Sequence, residues 1–190
     1  MSLPYTVTFA NFLFAGGRLR LTQHNELFFR TEPLRRKSDR LCYPALLNVS
    51  RIPKGKRHIA WICTQYLNCS SRMSWPEQLH ALLEHLWNGA FNLSSERHEG
   101  ESWYTACRSV PNLHPIEQWE RESQRDDAWA LNVPWLSAPI SVGELIEEFL
   151  SAGETCGPLW LFSRRDTTVP IVSRFVTFSQ EQGRSRRKAV

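Results

Sequence analysis

Cys63, Cys69, His80 and His85 are the side chains in this 190-residue chain whose types and order best suit a bound ion. Thiolates and imidazoles close a tetrahedron around zinc, and here two cysteines at the end of an apolar stretch precede two histidines on an expected helix. A second chemistry, neutralisation of phosphate, is offered by two short basic stretches. Arg35, Arg36, Lys37 and Arg40 fall in the first, and Arg51, Lys54, Lys56 and Arg57 in the second. Trp61 follows as a ring on which a base could stack. The chain has no phosphate-cradling glycine loop, no G-x-S-x-G elbow and no H-E-x-x-H. Cys107 needs His98 or His114 beside it to become a nucleophile, and Glu117, Glu120 and Asp127 read as a solvated helix face. These residues favour a protein that works through contacts, with RNA as first partner, over an enzyme.

The order Cys63, Cys69, His80, His85 resembles the ββα zinc finger, with Met73 and Leu79 where such a finger keeps its apolar core. Its spacing is C-x5-C-x10-H-x4-H, with a wider cysteine loop and a shorter reach to the first histidine than that family uses. Residues five apart on a helix also diverge by about 140°, so both imidazoles reach one metal only if the helix end distorts. The same helix carries a competing pattern, Trp75-Pro76-x-x-Leu79-x-x-x-Leu83-x-x-x-Trp87. That pattern resembles the first helix of an F-box, which docks adaptors onto a ubiquitin-ligase scaffold; certain plant-virus silencing suppressors carry a minimal version. Trp75 stands where the usual residue is Leu. The resemblance implies a host protein as partner, while the alternative for the same leucines is plain core packing.

The elements that must position these residues read as α+β: an N-terminal antiparallel β-meander, two or three helices and a C-terminal β-hairpin. Tyr5, Val7 and Phe9 alternate with small and polar residues, Gly16-Gly17 marks a turn, and Arg18 to Thr22 returns with period two. Leu27-Phe28-Phe29 adds a third strand, and His58 to Cys63 a buried one. Residues 33–40 and 51–57 read as basic loops. Ser74 to Glu77 and Ser141 to Glu144 each have the form of a capping box. The first begins a helix with Leu79, Leu82, Leu83 and Leu86 on it, ended by Gly89; the second begins one ended by Gly153. Residues 94–102 read as loop, and the stretch Ile116 to Ala130 contains a charged helix anchored by Trp119 and Trp129. Leu159 to Phe162 and Val169 to Phe178 read as the closing hairpin.

Composition sets the scale. With 42% hydrophobic residues, 8 Trp and 10 Phe, the chain has ample material for a core, and residues 1–179 read as one domain. Five scattered cysteines read as free thiols rather than a disulfide framework. No apolar run approaches the roughly 20 residues that span a bilayer, so the expectation is an intracellular protein without a membrane partner. Charge is divided: residues 1–72 set nine Arg and three Lys against Glu26, Glu32 and Asp39, a net of +9. Residues 73–180 set seven Arg against fifteen acids, a net of −8, and the basic tail 180–190 reads as disordered. Such a split gives either a basic face for a polyanion or two lobes that attract each other. A small, Arg-rich and Trp-rich chain of this kind has the character of a viral or mobile-element accessory protein, a suppressor of host defence among them.

Overall fold

The computed structural model describes residues 2–64, 66–70, 72–88 and 101–155. The chain is α+β, with its main sheet antiparallel throughout. The strands are β1 (Tyr5–Phe9), β2 (Phe12–Ala15), β3 (Arg18–Leu21), β4 (Glu26–Arg30), β5 (Arg40–Cys42), β6 (Val49–Lys54), β7 (Arg57–Ile62) and β8 (Ser137–Ser141). The helices are α1 (Trp75–Asn88), α2 (Glu101–Ser109), α3 (Ile116–Arg125), α4 (Trp129–Asn132) and α5 (Val142–Thr155). No helix among the described residues is long and apolar enough to cross a membrane.

β4 is the centre. Along one edge it pairs with β1, from Tyr5 opposite Arg30 to Phe9 opposite Glu26. It also meets β7 at Glu26 and β5 at Phe29, so the sheet runs β6-β7-β4-β5-β8. Leu27, Phe28 and Phe29 are all fully buried, because successive side chains point to opposite faces and both faces are covered. Over one face lies α5, whose Phe149 stacks on Phe9, itself edge-on to Phe28. Over the other, Phe29 meets Trp135 at 5.0 Å, and Trp135, Trp103 and Trp129 surround the buried Trp119.

The N-terminal strands do not form a meander. β2 and β3 are a separate hairpin closed by Gly16 and Gly17, both at positive φ as a two-residue turn of this hand requires, and β1 passes over it to reach β4. Residues 49–62 are a second hairpin rather than a basic loop: Arg51, Lys54 and Arg57 lie on paired strands, with Pro53 tolerated because β6 is the sheet edge. The segment 94–102 is not all loop, since α2 begins at Glu101 and holds Trp103, Ala106 and the following Val110 against the core. The stretch Ile116 to Ala130 contains the expected charged helix, α3, and after a break at Asp126 the start of the short α4. The α5 helix runs through Gly153 to Thr155. Gly89, the hairpin at 159–178 and the tail 180–190 lie outside the described residues.

Candidate functional site

α1 starts as its sequence dictates. The Glu77 carboxylate accepts hydrogen bonds from the Ser74 backbone N–H and hydroxyl, both at 2.7 Å, which closes the first turn around Pro76. Those two bonds hold Glu77 below its ordinary range. The face that α1 buries is Gln78, Leu82 and Leu86. Gln78 is 2% exposed and works as a substitute strand. Its Oε1 accepts from Leu21 N at 2.7 Å, and its Nε2 donates to Leu19 O at 2.9 Å and to Met73 O at 3.0 Å. At the far end, Asn48 Nδ2 donates to Leu86 O at 2.8 Å, satisfying a terminal carbonyl of the helix.

Trp75, Leu79, Leu83 and Trp87 lie outside that buried face. Steps of four residues advance about 40° around a helix, so this row winds slowly along the flank beside the buried one. Leu79 and Leu83 are half-buried, and Pro76 is exposed. Trp75 and Trp87 keep 36% and 37% of their surfaces in solvent. Trp75 is also edge-on to Phe12 of the β2–β3 hairpin at 6.5 Å. The result is an apolar ridge along one flank, with both of its indoles accessible.

The basic residues divide into two groups. Arg57 is 8% exposed and spends all of its N–H groups within the fold. It donates to both Glu26 oxygens at 2.9 Å, to both Glu148 oxygens at 2.7 and 3.0 Å, and to His58 O at 3.0 Å. Burial works against its charge, and the bonds to Glu26 and Glu148 more than offset that, holding the guanidinium protonated. Lys54 Nζ meets Glu148 at 2.7 Å. Arg40 meets Glu144 at 3.7 Å, and Arg51 lies over the Tyr43 ring at 4.7 Å. Trp61 donates from its indole to Gln23 O at 2.6 Å. Arg57 is thereby withdrawn from any surface that could meet phosphate, because moving it would leave Glu26 charged and buried.

Arg35, Arg36, Lys37 and Lys56 form the other group. Their side chains are exposed and make no ion pair among the described residues. Glu144 and Glu148 stand one turn apart on α5, about 6 Å along its axis. One is paired with the 33–40 loop and the other with the end of the β6–β7 hairpin, so both basic segments meet on the same helix. The loop is fixed there by its backbone, with Lys37 O accepting from Gly143 N at 2.7 Å and Asp39 O from Val142 N at 3.0 Å. Gly143 permits that approach, since a Cβ there would lie 3.1 Å from Lys37 Cβ.

The four expected metal ligands do not converge. His85 Nε2 lies 2.9 Å from the backbone carbonyl of Cys63, and His80 faces solvent beside Glu84 at 3.2 Å. Among the described residues no three His, Cys, Asp or Glu side chains gather as a metal centre would need. Burial pushes the Cys107 thiol up to about 11 and raises Cys42 and Cys69, so all three are protonated at neutral pH and poor nucleophiles. His98 lies outside the described residues, and Glu117, Glu120 and Asp127 are exposed. No family model, curated protein or solved structure matches this chain. The surfaces described above are an apolar ridge on α1 and two basic segments that meet α5.

Proposed function

We propose that this is a non-enzymatic adaptor that docks a host protein through the Trp75-Pro76-Leu79-Leu83-Trp87 ridge of α1. The observation that carries the reading is that these residues do not make the helix's core contact. Gln78, Leu82 and Leu86 do that, while two indoles remain more than a third exposed on the flank. Large apolar groups held at helical spacing on a rigid element are the anchors that helix-in-groove recognition uses. The F-box resemblance names the partner, the scaffold subunit that receives F-box helices, and suppression of a host defence by recruitment is the role it suits. The test is capture of that purified subunit by the full chain. Leu83→Ala with Trp87→Ala should lower affinity at least tenfold while the melting temperature moves by only a few degrees. Equal capture by wild type and variant, or no capture by wild type, overturns the reading.

A second reading, contact with RNA, is favoured by the meeting of both basic segments on α5. The side chains of Arg35, Arg36, Lys37 and Lys56 are exposed and make no ion pair among the described residues. Arg35→Ala with Arg36→Ala should weaken binding of a single-stranded RNA and lower its salt slope by about one per lost phosphate contact. An unchanged slope removes this reading and leaves the adaptor untouched.

A further inference from the structure

We propose that Ser38 is a phosphorylation site for an arginine-directed protein kinase. The residues before it are Leu34-Arg35-Arg36-Lys37, three cations in a row that end on a hydroxyl. Acidic pockets of such kinases recognise guanidinium groups two and three residues ahead of the acceptor, and Arg36 and Arg35 occupy those positions. The fold presents what that recognition needs. Ser38 stands at the tip of a turn closed by Asp39 N donating to Arg36 O at 3.1 Å. Its side chain is exposed, and its hydroxyl makes no hydrogen bond among the described residues. Arg35 and Arg36 are exposed and unpaired in the same sense, so they can enter carboxylate pockets without breaking an existing ion pair. A kinase takes its substrate extended, so the loop must first release Lys37 O and Asp39 O from Gly143 and Val142, and the Asp39 carboxylate from Arg30 and the Arg35 and Arg36 backbone N–H groups.

In the reaction, Ser38 Oγ forms a bond to the γ-phosphorus of ATP, and the bond from that phosphorus to the β–γ bridging oxygen breaks. ADP leaves with the electron pair, and the hydroxyl proton passes through the kinase's base to solvent. The product carries about −1.5 to −2 charge beside Arg35, Arg36 and Lys37. It therefore switches off the basic cluster as a polyanion surface; this consequence, unlike the site itself, rests on the RNA reading.

The test incubates the full chain with the catalytic subunit of cyclic-AMP-dependent kinase and ATP, followed by mass-spectrometric mapping. The expected result is one phosphate on Ser38, lost in Ser38→Ala. Arg35→Ala with Arg36→Ala should lower kcat/KM at least tenfold. No incorporation, or incorporation only at another hydroxyl such as Thr167 behind Arg164-Arg165, overturns the site. Phosphorylated and unmodified protein are then compared on the same single-stranded RNA, where the salt slope should become shallower by about two. Phosphate on Ser38 with no RNA binding by either form ends the RNA reading and leaves the site standing.

Discussion

Arg57 joins three elements: its fork holds Glu26 of β4 and Glu148 of α5 from the start of β7. Glu26 also accepts from Ala60 N at 3.1 Å, so its carboxylate is fully committed. A buried pair of this kind adds little over a hydrophobic replacement, yet removing one partner leaves a stranded charge. Arg57→Ala should therefore destabilise the protein by about 3–5 kcal/mol in chemical denaturation, while Arg57→Leu with Glu26→Leu recovers most of that loss. A double variant no better than the single would contradict this account. Titration follows from the same contacts. Burial alone would raise Glu148, but hydrogen bonds from Arg57 and Lys54 hold it below its ordinary 4.5. The Arg35 backbone N–H, against burial and with help from Arg36 and Arg30, holds Asp39 below 3.8. Depressed folded values mean stability that is whole above the unfolded pKa and lost as pH falls through the folded one. Melts should thus be flat between about pH 7 and 5 and decline below about 4.5, with Glu148→Gln flattening part of that decline.

Beside the Phe12–Trp75 contact and the Asn25 bonds to Asn11 N and Thr22 O, one amide of α1 pins the β2–β3 hairpin. Gln78 satisfies Leu19 O and Leu21 N on the edge of β3, and no pattern in the sequence announces it, because a glutamine among leucines reads as the polar face of a helix. Gln78→Leu keeps the size and removes the bonds. It should cost about 1–3 kcal/mol, the penalty for stranding those two backbone groups, and speed hydrogen exchange at Leu21 while β4 stays protected. Unaltered exchange at Leu21 would show that the hairpin is held by those other contacts alone. Elements set by local chemistry were legible before the fold was known: the Gly16-Gly17 turn, the Ser74 and Ser141 boxes, and the apolar run of β4. Elements set by distant partners were not. β1 finds β4 across an intervening hairpin, and α2 is helical because Trp103 and Ala106 are buried, despite weak propensity. The basic letters of 51–57 concealed the strand alternation of β6 and β7. The α1 ridge was legible as a pattern, but only the fold separates it from the core-facing row one position away.

At the scale of the molecule, the charge split is resolved in part by attraction between halves. Arg40, Lys54 and Arg57 from the basic segment find Glu144 and Glu148 on α5, partners 91 and 94 residues distant for Arg57 and Lys54, which composition could not reveal. Arg35, Arg36 and Lys37 of the 33–40 loop and Lys56 are left over, as are Arg18, Arg20 and Arg72, all exposed and outside any ion pair among the described residues. Salt should separate these two uses of charge. At 1 M ionic strength the Debye length is about 3 Å, so pairs open to solvent are screened and buried ones much less. The Arg40–Glu144 pair, with side chains 68% and 59% exposed, is open to that screening, whereas Arg57 and Glu26 are 8% and 5% exposed and keep their attraction. A kilocalorie shifts the melting temperature of a chain this size by about 2–4 °C. Raising NaCl from 50 mM to 1 M should therefore lower the melting temperature by no more than about 5 °C. Over the same range, any binding of RNA by Arg35, Arg36, Lys37 and Lys56 should fall by orders of magnitude, since each phosphate contact contributes almost one power of salt concentration. A fall in melting temperature beyond about 10 °C would mean that the two halves are held together chiefly by solvent-exposed charge, and that the Arg57 centre is not the buried junction its contacts describe.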